Sequence, residues 1–95
     1  MSVALMMGSD SDYPRLEPCV ALLKEFGIAC EVRVLSAHRT PAQVVEFVAA
    51  APARGVRVFI CAAGGAAHLA GVVTAHTDLP VLGIPMDNPP LNGLD

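Results

Sequence analysis

The sequence predicts an α/β fold, a parallel sheet with helices on both faces. Two observations predict it. Short apolar runs alternate with longer amphipathic stretches along the chain, the order strand–helix repeated. The first run, Val3 to Met7, is apolar at successive positions rather than at every second one, as a strand covered on both faces must be. Such units connect through right-handed crossovers.

Each element follows from its residues. Val3 to Met7 is a continuous apolar run ended by Gly8-Ser9-Asp10-Ser11-Asp12, a buried strand and its loop. Leu16, Cys19, Val20, Leu23 and Phe26 then recur at helical spacing and Gly27 closes that helix. Asp12 suits its N-cap, and Pro14 is tolerated in the first turn. Pro18 removes a helix hydrogen bond and is expected to bend or delay the helix. Cys30 to Leu35 reads as a second strand and Ser36 to Thr40 as a loop. Thr40-Pro41-Ala42-Gln43 forms a capping box, followed by an apolar face of Val44, Val45, Phe47, Val48 and Ala51. Gly55 precedes a third strand, Val56 to Ala62. Gly64-Gly65 turns into a small-residue helix over about Ala66 to Ala75, which offers little to an internal core. Pro80 to Ile84 is a fourth strand, and Asp87-Asn88-Pro89-Pro90 is loop.

Composition narrows the function. The 95 residues are 54% hydrophobic and 16% charged, against about 25% charge in a typical soluble domain. With a mean hydropathy of +0.55, some apolar surface is expected to be covered by other chains. One domain, 1–95, accounts for the length. The net charge is −3 and the six basic residues are scattered, which argues against nucleic-acid binding by a basic patch. The longest uncharged stretch, Val58 to Thr77, is broken by glycines and two histidines, so no membrane span is expected. Met1 to Met7 lacks a basic leader and does not read as a signal peptide. Cys19, Cys30 and Cys61 have no C-x-x-C spacing and read as reduced thiols of a cytoplasmic protein.

Three loops, each after a strand, carry the candidate chemistry, because loops at the carboxyl ends of parallel strands converge on one edge of the sheet. Gly8 to Asp12 offers backbone N–H groups, hydroxyls and carboxylates for an anion or a hydroxylated ligand; it equally suits simple helix capping. It is neither a phosphate-binding G-x-x-x-x-G-K-S/T loop nor a G-x-G-x-x-G turn. In Ser36-Ala37-His38-Arg39-Thr40-Pro41, an imidazole can move a proton near neutral pH, and a guanidinium offers a planar fork to phosphate or carboxylate. Ala63-Gly64-Gly65-Ala66-Ala67-His68-Leu69 is bare backbone with one histidine, which a ligand can approach closely. His76 reads as solvated surface. No His or Cys pair has a metal-ligand spacing. With no Trp and Tyr13 as the one tyrosine, a flavin carrier is disfavoured. A phospho-receiver would need an Asp after the third strand, where Cys61 to Gly65 has none.

Together these loops, with Pro80-Val81-Leu82-Gly83-Ile84-Pro85 and Leu91-Asn92-Gly93-Leu94-Asp95, resemble the class I N5-carboxyaminoimidazole ribonucleotide mutase family, the catalytic subunits of phosphoribosylaminoimidazole carboxylase. The resemblance runs from Val3 to Asp95. It implies a flavodoxin-like three-layer sandwich, assembly as a homo-octamer, and a role in de novo purine biosynthesis. The implied reaction moves a carboxylate from the exocyclic nitrogen of a small ribonucleotide to ring C4, with no cofactor. His38 matches the acid–base residue. Ser9, Asp12, Ser36 and Arg39 match substrate-binding positions, Arg39 on the phosphate. Gly64, Gly65, Ala66, His68 and Leu69 match the loop that encloses the carboxylate or carbon dioxide. Ala70 stands where the family often has Pro. Family members continue with another strand and helices, so the chain is expected to be the N-terminal portion of a longer domain, and a non-catalytic remnant is one alternative. The other is a relative that uses carbon dioxide directly; those usually carry Lys after the motif His and lack a Gly-Gly-Ala-Ala-His-Leu loop, so Arg39 and His68 favour the mutase.

Overall fold

The computed structural model describes residues 1–95. Four parallel strands form one sheet: β1 (Ser2–Met7), β2 (Ala29–Val34), β3 (Val56–Ala63) and β4 (Val81–Pro85). Their spatial order is β2-β1-β3-β4, the flavodoxin-like order. Helix α1 (Tyr13–Glu25) covers one face, and α2 (Pro41–Ala50) with α3 (Leu69–Thr74) covers the other. This is the expected three-layer sandwich.

The central strands explain the continuous apolar runs. In β1, Ala4 and Met6 pack toward α2 and α3 while Leu5 and Met7 pack toward α1; in β3, Phe59 and Cys61 take the first face, Ile60 and Ala62 the second. Both strands therefore lose water on both faces, and Phe59 is fully buried. The edge strand β2 differs. Its positions toward α2 are Glu31 and Arg33, and the Glu31 carboxylate takes Arg54 at 3.1 Å and Arg33 at 3.4 Å. Both guanidinia lie over the Phe47 ring, 5.1 and 5.5 Å from its centroid. Charge on an edge strand discourages further strand pairing.

Several local expectations are corrected. Asp12 makes no side-chain cap bond; the chain enters α1 through a 3-10 turn, Asp10–Asp12, whose N-cap is Ser9, accepting the Ser11 N–H. Helix α1 runs through Pro18 without interruption. It ends as foreseen at Gly27, with φ +74°. There the Ile28 N–H donates to Leu23 and the Gly27 N–H to Lys24, the paired bonds of a Schellman end. Thr40 does not form the capping box. Its Oγ1 accepts the Ser36 N–H at 2.9 Å and donates to the Ser36 carbonyl at 3.1 Å, closing the loop before α2 instead. Strands β2 and β4 lie one residue off their expected bounds. Helix α3 is shorter than expected because Ala67, with φ +52°, holds the preceding turn open. It also contributes more to the core than its small residues suggested: Leu69 and Val73 are buried in the cluster with Phe59.

Candidate functional site

The topology decides where a site can form. From β1 the chain crosses to β2 on one side, and from β2 it returns past β1 to β3 on the other. The loops after β1 and β3 therefore diverge at the point where strand order reverses, and leave a crevice at the carboxyl edge.

Each loop is held by bonds that its own sequence supplies. The ladder extends past the strands: the Gly8 N–H donates to Ala62, Leu35 to Met7, and Met86 to Ala63. In the first loop the Ser9 and Ser11 hydroxyls lie 2.8 Å apart. In the second, Ser36 Oγ accepts the N–H groups of His38 at 3.3 Å and Arg39 at 3.1 Å, a side chain standing in for a turn carbonyl. In the third, Gly65 at φ +62° and Ala67 at φ +52° are both left-handed, and the Ala67 N–H donates to Gly64 at 3.0 Å. Glycine adopts that conformation freely; alanine does so at a cost, a strain often stored at functional loops.

These loops line one cavity of about 370 Å³. Ser9 and Asp12 stand on one wall, Ser36 and His38 on the second, and Gly64, Ala66, His68 and Leu69 on the third. At its heart the rings of His38 and His68 meet edge to face, with Nε2 of His38 2.9 Å from Nδ1 of His68. One of these nitrogens carries the shared proton and the other accepts it. A second cavity, about 510 Å³, adjoins the first through Gly8, Ser9 and Ser36 and reaches Arg39. One Arg39 nitrogen donates to the Gly8 carbonyl at 2.9 Å, which ties the second loop to the first.

The sequence-derived residues are thus brought together, with two qualifications of place. Arg39 lines the adjoining cavity, and Gly65 lines neither, its part being the turn that aims Gly64 and Ala66 inward. His76 is exposed, just past the end of α3, and its side chain bonds to the Val72 carbonyl. Sequence reading missed Arg15 and Asn88, which also line the first cavity. The i,i+3 spacing of Asp12 and Arg15 was a legible signal for one. Nothing local marks the other, since it reaches the site from after β4. No group of three or more His, Cys, Asp or Glu is arranged to hold a metal ion, and no helix is long and apolar enough to cross a membrane.

Residues 2–95 match the family model described as AIR carboxylase. The N5-carboxyaminoimidazole ribonucleotide mutase of Mycobacterium tuberculosis is 52% identical over 93 residues, which cover 98% of this chain and 53% of that protein. The protein of the same name from Vibrio cholerae is 47% identical over 95 residues, covering 100% of this chain and 59% of its own. A crystal structure of Treponema denticola PurE matches with a TM-score of 0.87 at 30% identity, over 96% of this chain and 58% of that one. The chain therefore spans 53% to 59% of the length of these curated relatives.

Proposed function

We propose that this chain, which belongs to the AIR carboxylase family, acts in purine biosynthesis as an N5-carboxyaminoimidazole ribonucleotide mutase. It moves the carboxylate from the exocyclic nitrogen to ring C4 and gives 4-carboxy-5-aminoimidazole ribonucleotide. The observation that carries this reading is the bonded pair of His38 and His68 inside a cavity whose third wall is bare backbone.

The chemistry needs a proton moved twice. As the N–CO₂ bond breaks, the exocyclic nitrogen takes a proton from His38, and carbon dioxide is held beside the electron-rich ring. C4 attacks it, forming the C–C bond and leaving C4 with both a hydrogen and the new carboxylate. Neutral His38 removes that proton and is restored. One imidazole serves as acid and then as base, with no net consumption of protons. His68 holds the His38 ring by their shared hydrogen bond. The small side chains of Ala63, Ala66 and Ala67 leave room for carbon dioxide close to the backbone and shield it from water. Ser36, whose hydroxyl is committed to the N–H groups of His38 and Arg39, orients the catalytic loop. Arg39, at the far end of the continuous groove, meets the phosphate. Ser9 and Asp12 bind the part between.

The same reading covers the rest of the protein's setting. The partner is a small ribonucleotide, the compartment the cytoplasm, and the assembly a homo-octamer. Residues 1–95 form one α/β domain corresponding to part of the longer relatives. Exposed apolar side chains such as Phe26 and Leu82 support association.

The test uses substrate labelled with ¹³C in its carboxylate, mixed with excess unlabelled bicarbonate. Label retained in the product at C4 is expected. Unlabelled product would identify an enzyme that takes carbon dioxide from solution, and no conversion would reject both readings.

A further inference from the structure

Arg15 is a cation in the cavity that the proton transfers above do not use. Its Nη2 donates to Asp12 Oδ1 at 3.0 Å and to Asn88 Oδ1 at 3.1 Å, and its Nη1 donates to the Asp87 carbonyl at 3.0 Å. The acceptors belong to the loop after β1 and the loop after β4, more than seventy positions apart. The fork is 42% exposed, while the Asp12 side chain is only 10% exposed. A half-exposed ion pair adds little stability, so what the fork contributes is geometry. Asn88 reaches a third loop as well: a Cβ on Gly64 would overlap its amide nitrogen.

We infer that Arg15 is a positioning residue that latches the loop after β4 onto Asp12, making Asn88 a wall of the substrate cavity. This rests on the mutase reading for the ligand's identity. It follows from the shape of the guanidinium, which presents several N–H groups in one plane and can hold two segments at once. An ammonium at the same place would keep the charge, but its donors radiate from one nitrogen and do not reproduce the planar spread that meets acceptors on both segments. With the latch closed, the Asn88 amide is held against the Gly64 backbone. With it open, the segment from Asp87 onward loses its hydrogen bonds to α1, and the cavity loses one side.

The test combines two readouts on the chain. Amide hydrogen exchange is expected to accelerate about tenfold or more at Asn88, Asn92 and Leu94 in Arg15→Met, with β1 and β3 unchanged. Affinity for 4-carboxy-5-aminoimidazole ribonucleotide is expected to fall about tenfold at an unchanged unfolding midpoint. Arg15→Lys should restore neither, and Gly64→Ala, which displaces Asn88, should reproduce the affinity loss with Arg15 intact. Parental exchange rates in Arg15→Met, or full rescue by Lys, would overturn the latch. Should the parent chain bind no ribonucleotide, the mutase reading fails, and the exchange rates still decide the latch.

Discussion

The Nε2 of His38 and the Nδ1 of His68 stand 2.9 Å apart across thirty residues of sequence. Two loops on different strands therefore share one proton. If both imidazoles became cationic, two N–H groups would face each other and the bond would be lost. Replacing His68 by Ala removes the partner that fixes the ring of His38. Carboxylate transfer by His68→Ala is expected to fall about 10²-fold, with ribonucleotide affinity changed by less than about threefold. Transient kinetics separating binding from transfer provides the check, and an unchanged transfer rate would remove His68 from the role of holding His38.

Arg39→Lys conserves charge but not shape. The guanidinium donates to the Gly8 carbonyl at 2.9 Å and keeps further N–H groups for an anion, while an ammonium is a point charge. Titration calorimetry should show ribonucleotide affinity lowered about tenfold, some 1.4 kcal/mol. Equal affinity of the two proteins would place the phosphate elsewhere.

Much of this arrangement was legible in the chain. The apolar run of β1 announced a strand covered on both faces, and the three loops following strands announced a common edge. What the sequence hid were choices among several donors and acceptors. Ser9, Asp12 and Thr40 all suit an N-cap; only the backbone path decides that Ser9 caps, that Asp12 turns to Arg15, and that Thr40 bonds back to Ser36. The shortness of α3 rests on the left-handed Ala67, which propensity does not foresee. Asn88 joins the site through a contact with Arg15 spanning 73 residues, a relationship that no local pattern encodes.

The buried thiol of Cys61 gives a pH signature. In the unfolded chain it ionises near 9.0, and burial pushes it up to about 12 in the fold. Below pH 9 both states hold the proton and stability is undiminished. Between 9 and 12 the unfolded chain loses a proton that the folded chain retains. Stability therefore falls as pH rises, by no more than about 1.4 kcal/mol per pH unit for one thiol. Urea unfolding from pH 8 to 11 is expected to show a steeper decline in the parent than in Cys61→Ala. Parallel curves would contradict a burial-raised thiol.

Self-association follows from what the sandwich leaves uncovered. Phe26 is 68% exposed and Leu82 55%. Ile84 and Leu82 lie on the α1 side of β4, at the opposite edge of the sheet from β2, the strand that α1 contacts most. A large exposed apolar patch is unusual on a monomer. Sedimentation velocity at micromolar concentration is expected to show oligomers larger than a dimer, and Leu82→Glu to shift them toward smaller species. A stable monomer at high micromolar concentration would refute the association and the octameric reading with it.

The most direct test of the account is the role of His38, since the ring proton needs a group that can both give and take it. Asparagine keeps polarity and approximate size but offers no such exchange at neutral pH. The measurement is the rate of ¹³C-carboxylate transfer from nitrogen to C4 by His38→Asn, with ribonucleotide affinity measured on the same protein. Affinity within a few-fold of the parent is expected, with no transfer above the uncatalysed rate. Transfer by His38→Asn within about tenfold of the parent would contradict it.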